Sequence, residues 1–393
     1  MPFALNPPKN NLPTDLNYSI AMLLILGSVF LYQRYADRNA IVNHPHYMKG
    51  GALDLGLGLG LFNHNDDTNH KLPRAWNYHD VMFDDDQQIK EHLRKMKHQN
   101  GPDVQKPMVW IHVEREWNAR HWKHFFERGS YDINQPYLYL TIKTIADQCG
   151  DHFNIAVIDD DSFANILPNW NVDMSIISGP LKLNMRQLAL AQLLHEHGGL
   201  TIPPSTICVH NLIHMHKHGL SQGRDMYFGQ SPNTASYRLD SSFDVNSTSS
   251  KKRFKADPTF MGCSPKSKAM KRLVLFLEQH HGADPASSEK MFSDHISSFC
   301  QKLFDQKHAH MIDGQMLGTR TSKNKPVSVH DLMSSSYLDL NHDTLFCIHV
   351  PHQEILKMPK YAWFANLPVG QAIQSDTTIG KWLSKTLLHY EEL

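Results

Sequence analysis

Two kinds of apolar spacing organise the chain. Residues 107–113 (PMVWIHV) and 153–158 (FNIAVI) are short, almost unbroken apolar runs, the pattern of strands buried on both faces. Residues 138–148 (LYLTIKTIADQ) and 185–197 (MRQLALAQLLHEH) repeat their apolar positions at helical spacing, and residues 117–128 predict a helix with an aromatic face. Gly198 follows the helix over 185–197 where a left-handed residue is needed to stop it. Residues 199–202 then read as a short strand, closed by Pro203 and Pro204. Asp161 or Ser162 is placed to cap a helix over 163–167. Residues 260–263 predict a core strand, 267–280 a helix and 378–390 a closing helix, with a weaker pattern beyond Gly282. Strands alternating with helices predict an α/β fold: a mostly parallel sheet flanked by helices.

The N-terminal region differs. Residues 16–33 (LNYSIAMLLILGSVFLYQ) carry no charge, and at 1.5 Å per residue such a helix is about 27 Å long, enough to cross a bilayer core. Tyr18, Tyr32 and Tyr35 lie where interfacial aromatics belong. A signal peptide or a buried helix are the rival readings, but a basic start and a small-residue cleavage site are both missing. The expectation is therefore a tail (1–15), a single-pass transmembrane anchor (16–33), a tether and loose shell (34–105) and a globular domain (106–393) with an irregular excursion at 237–255. Arg34, Arg38 and Lys49 outnumber the base before the run, which places the C-terminal body on the cytoplasmic side. The Gly-Leu alternation of residues 50–62 lacks the Gly-Lys-Ser/Thr ending of a phosphate loop and reads as an apolar strand or packed loop.

Composition narrows the function. With 39 Lys+Arg against 39 Asp+Glu there is no net field to hold a polyanion, so nucleic acid is not expected as a partner. Five scattered cysteines, an odd number without a C-x-x-C pair, argue for buried reduced thiols rather than a disulfide framework. The 27 histidines include His210 and His214 at i, i+4, which would share a face if helical, and His195 and His197 at a helix end, where they complement the dipole. Surface or capping roles are favoured over a metal site. No nucleophile elbow or dinucleotide fingerprint occurs.

The helix–Gly-Gly–strand unit LALAQLLHEHGGLTIPPSTICVHNL resembles the sugar-binding region of Asp-x-Asp glycosyltransferases of the GT-A fold, including the capsular-polysaccharide-synthesis relatives. The strand holding Trp110 and His112 resembles that family's opening strand, and the turn Asp159–Asp160–Asp161 the end of its second. Residues 260–263, with Lys266, resemble a later segment. The resemblance spans roughly residues 106–277. It implies a GT-A-like (Rossmann-like) fold and a nucleotide sugar or glycan as ligand. The nucleotide-sugar-binding positions it implies are Trp110, His112, Asp159, Asp160, Asp161, Gly198, Gly199 and Ser205. In that family the Asp-x-Asp carboxylates hold a divalent metal against the donor diphosphate. Here those positions are Pro203 and Ser205, and the helix positions that carry an Asp and an Arg in the family are Gln187 and Leu190. The expectation is a glycosyltransferase-like protein that no longer transfers and acts as a scaffold or binding module without a cofactor. The alternatives are an active transferase using Asp159 and Asp161 with Mn²⁺ or Mg²⁺, or no metal, and an unrelated membrane structural protein. The Pro-x-Ser version is also similar to that in uncharacterised membrane proteins of large nucleocytoplasmic DNA viruses, which implies a virion-membrane place and a capsid or membrane protein as partner.

Overall fold

In a computed structural model of the chain, the residues described are 82–83, 86–98, 106–114, 135–233, 254–283 and 289–388. All belong to one compact unit within residues 58–393. The elements run β1 (Met82–Phe83), α1 (Asp86–His98), β2 (Met108–His112), α2 (Tyr137–Cys149), β3 (Asn154–Ile158), α3 (Asp160–Ile166), α4 (Gly179–His197), β4 (Gly199–Thr201), β5 (Thr206–Cys208), α5 (Ile213–Gly219), β6 (Met226–Pro232) and β7 (Phe254–Cys263). They continue through α6 (Lys268–Ala283), α7 (Glu289–Asp305), β8 (His310–Met311), α8 (Val329–Leu332), β9 (Cys347–His349), α9 (His352–Lys357), α10 (Ala362–Ala365), α11 (Val369–Gln374) and α12 (Thr378–Leu388).

Seven strands form one sheet in the order β1-β3-β2-β4-β7-β6-β8. Every neighbouring pair is parallel except the two that involve β7, so β7 alone runs against the others. β5 and β9 make a separate antiparallel pair. The apolar runs explain the centre. In β2, Met108 and Trp110 face a core shared with Ala156 and Ile158 of β3, Phe163 of α3, Leu188 and Leu194 of α4, and Leu273 and Leu277 of α6. The alternate residues Val109, Ile111, Ile155 and Val157 are equally buried, because strand side chains alternate and both faces are covered. Each such large side chain removed from water stabilises the fold by about 1.5–3 kcal/mol.

Several expectations change. Among the described residues no helix is long and apolar enough to cross a membrane. The longest of them, α4, carries Lys182, Arg186 and Glu196, which form ion pairs with Asp160 and with Lys266. The transmembrane component of the expected fold, and the membrane localisation drawn from it, are corrected accordingly. Residues 16–33, on which they rested, lie outside the described residues, as do the helix expected over 117–128 and the Gly-Leu segment. The region read as a loose shell supplies β1, which pairs with β3, and α1, whose Ile89 and Leu93 enter the core. β7 begins at Phe254, so the last two residues of the expected excursion pair with β6. Beyond Gly282 the chain builds α7 and α12 and four shorter helices.

The histidine-rich stretch resolves into one buried group and exposed neighbours. His210 precedes α5 rather than sharing it with His214, and both are exposed. His216 is buried, with its Nδ1 2.7 Å from the Tyr227 hydroxyl. Burial pushes its imidazole down to about 4. A histidine ordinarily near 6.5 when unfolded and near 4 when folded contributes stability that is complete above pH 6.5 and is lost as pH falls towards 4. We expect about 2.5 kcal/mol to be lost from this group at pH 4.5. Urea denaturation at pH 7.5 and 4.5 checks this: His216→Gln should reduce the difference between the two, and an unchanged difference would contradict it.

Candidate active-site cleft

A cleft of about 320 Å³ opens at the carboxyl ends of β2 and β4. Its place follows from the strand order. β3 lies on one side of β2 and β4 on the other, so the connections leave in opposite directions and part the chain above β2. Such a switch point is where open α/β sheets bind ligands. Trp110, His112 and Glu114 enter from the β2 side, Thr201, Pro203 and Pro204 from the β4 side, and Gln187 and Leu190 from α4. Gln135, His352 and Gln353 close it.

The Gly198–Gly199 step makes the close fit of β4 against β2. Gly198 ends α4 with φ 69° and ψ −165°, a region essentially reserved for glycine. Gly199 has φ 95°, and a Cβ there would stand 2.3 Å from the Met108 carbonyl oxygen. The Trp110 indole N–H donates to the Gly198 carbonyl at 3.0 Å, so both glycines support the cleft floor without offering a side chain to a ligand.

The three consecutive aspartates diverge. Asp159 caps α3: its carboxylate accepts from the Asp161 and Ser162 amides at 3.2 Å, and the Ser162 hydroxyl accepts from the Asp159 amide. Asp161 is exposed on the first turn. Asp160 turns inward, where Arg186 grips it with two bonds of 2.7 Å, His112 Nε2–H donates at 3.0 Å and Lys182 stands 3.2 Å away. Lys182 and Arg186 reach it together because i, i+4 positions share a helix face. Arg186 also bridges to Glu114 at 2.9 Å. Burial alone would raise the Asp160 pKa, but the bonds and charges of His112 and Arg186 outweigh it and hold the carboxyl well below the usual range. His112 stacks on Phe163, ring centres 5.3 Å apart.

The donor set does not fit Mn²⁺ or Mg²⁺, which take hard oxygen ligands from carboxylates. Position 203 is proline. Ser205 is fully buried and gives its hydroxyl proton to the Val350 carbonyl at 2.6 Å. Among the described residues no group of three or more His, Cys, Asp or Glu side chains could hold a metal ion. Of the residues expected at the site, Trp110 and His112 line the cleft, Asp160 is joined to it through His112, and Asp159 and Asp161 serve α3.

No known family model matches the chain, and no curated protein does. The geometry therefore carries the functional reading. It adds residues that the sequence did not single out: Gln135, Thr259, His352 and Gln353 line the cleft, and Arg186 organises its acidic edge. Arg186 and Asp160 are 26 positions apart, and their partnership becomes legible only once α4 is known to run back against the parallel strands, so that its first half passes the end of β3.

Proposed function

We propose that this chain is a glycosyltransferase-like protein whose cleft binds its ligand without a metal and without transfer chemistry, as a binding or scaffolding module. One observation carries the reading. Gln187, Leu190 and Pro203, three of the four positions where the resemblance places the charged side chains of a metal-dependent donor site, line the cleft itself. The fourth, Ser205, is buried beneath it. The cavity is kept, and the groups that would stabilise a leaving diphosphate are replaced. Asp160 does not substitute, because its oxygens are taken by Arg186, His112 and Lys182.

The test is turnover. The purified protein is incubated with a panel of uridine-, guanosine- and cytidine-linked sugars in Mn²⁺, and released nucleotide is measured. We expect release at the level of the protein-free blank, unchanged in Asp159→Ala and Asp161→Ala. Metal-dependent release that either substitution abolishes would overturn the reading.

A further inference from the structure

Outside the cleft, two buried thiols stand in contact. Cys149 ends α2, Cys208 ends β5, both are fully buried, and their sulfurs lie 3.6 Å apart. The contact is held from two sides. The Cys208 amide donates to Thr144 Oγ1 at 2.8 Å, and the Asn211 side-chain amide donates to the Gln148 carbonyl at 2.6 Å, so the end of α2 is tied to residues 208–211 around the pair. Proton counting orients the thiols. Cys208 gives its proton to the His210 carbonyl at 3.2 Å, so the Cys149 thiol is the one that donates to the Cys208 sulfur. A third thiol, Cys347, lies opposite Cys208 in the β5–β9 register and is equally buried. Cys263 and Cys300 belong to the core shared with α4 and α6.

We propose that Cys149 and Cys208 are a site of covalent modification, a dithiol that a small disulfide such as oxidised glutathione converts to a disulfide bond. One cysteine thiolate attacks a sulfur of the oxidant and releases one thiolate. The other cysteine, deprotonated in turn, attacks the protein sulfur of that mixed disulfide and releases the second. One S–S bond breaks in the oxidant and one forms in the protein. Two electrons pass to the oxidant, and the two cysteine protons end on the two released thiols. The sulfurs have to close by about 1.5 Å to reach bonding distance. Burial, and then the contact with Cys149, push the Cys208 thiol up, and the thiolate is the attacking species, so the closed molecule reacts slowly. The bond therefore forms as the chain folds, or when β5 and β9, three-residue strands in a sheet of two, open locally. It closes a loop of 59 positions that contains β3, α3, α4 and β4. It also fastens β5 to α2, whose Thr141 hydroxyl already donates to the Pro204 carbonyl in the cleft wall. The proposal does not depend on what the cleft binds.

Peptide mapping tests this. The full chain is unfolded in urea with reductant, refolded in a mixture of reduced and oxidised glutathione, blocked with N-ethylmaleimide in fresh urea and mapped by mass spectrometry. We expect peptides joined through Cys149 and Cys208, with Cys263, Cys300 and Cys347 alkylated. The chain held in urea with the same oxidant is the reference. Loop closure there favours pairs nearer in sequence, such as Cys263 with Cys300, so enrichment of the 149–208 bond on refolding reports the fold. The bridged protein should unfold at a higher urea concentration than the reduced one, because the bond restricts the unfolded chain, and reductant should remove the difference. Cys347→Ala should keep the bond and Cys149→Ala abolish it, and the map of the unaltered chain decides the matter if either variant fails to fold. All five cysteines alkylated after refolding, or a bond from Cys208 to Cys347 in its place, would overturn the proposal. So would a bridged form whose urea midpoint is at or below that of the reduced protein.

Discussion

Gly199→Ala is expected to cost more than about 4 kcal/mol, enough to unfold many domains. Two effects add. Alanine at φ 95° takes on backbone strain of about 1–3 kcal/mol. Its Cβ would also sit 2.3 Å from a backbone oxygen of β2, which has no rotamer to move into, so β2 or β4 must shift. That shift would pull Leu200 and Thr201 out of register with Val109 and Trp110 and open the cleft floor. Gly223→Ala is the control. Its φ of 73° imposes a similar strain, but nothing lies within 4 Å of an added Cβ. Urea denaturation should show the Gly223 variant losing about 1–2 kcal/mol and the Gly199 variant losing far more. Equal losses would mean that the close approach of the strands is not what the glycine provides.

Asp160→Ala carries the second large effect, about 3–5 kcal/mol. The cost comes less from the lost attraction than from what is left behind. The Arg186 side chain is 7% exposed, and without Asp160 its guanidinium loses both of the 2.7 Å bonds that hold it beside the cleft. Asp160→Ala combined with Arg186→Leu should therefore be more stable than Asp160→Ala alone, whereas Asp161→Ala, on the exposed turn, should stay within about 0.5 kcal/mol of the parent. The pH dependence has a definite sign. Because the folded carboxyl is held below its ordinary range, its contribution is complete above about pH 4 and is lost only as pH falls further, through the folded value. Acid losses between pH 6.5 and 4.5 should thus follow His216 and His352, whose imidazoles burial pushes down to about 4, and be insensitive to Asp160. A double-mutant cycle with a coupling near zero would contradict this account of the cluster.

Strands β2 and β3 were legible in the sequence because they are buried on both faces, which leaves few polar interruptions. The Gly198–Gly199 step was legible because few residues other than glycine fit those angles. α1 was hidden: of its described side chains Ile89 and Leu93 enter the core, within a stretch otherwise rich in charge and histidine. The cleft was half visible. Pro203, Ser205, Gln187 and Leu190 could be placed by their distance from Gly198. His352 could not, since it meets Ser205 across 147 positions and leaves no periodic trace. The Asp159–Asp161 run reads as a solvated turn that caps the following helix, with a metal role as the alternative. Asp159 does cap α3 and Asp161 is exposed, whereas the pairing of Asp160 with a buried arginine left no trace in the sequence.

A metal-independent binding module, as proposed, requires that the cleft at the ends of β2 and β4 have no affinity for a divalent cation. Paramagnetic broadening reports this directly, through the indole N–H of Trp110 and the methyl of Thr201, both in the cleft wall. Titration with Mn²⁺ to millimolar concentration, alone and with a uridine-linked sugar, should leave both signals as sharp as those of residues remote from the cleft. Selective, saturable broadening of the two at stoichiometric Mn²⁺ would contradict the claim and place a metal where proline and a buried serine now stand.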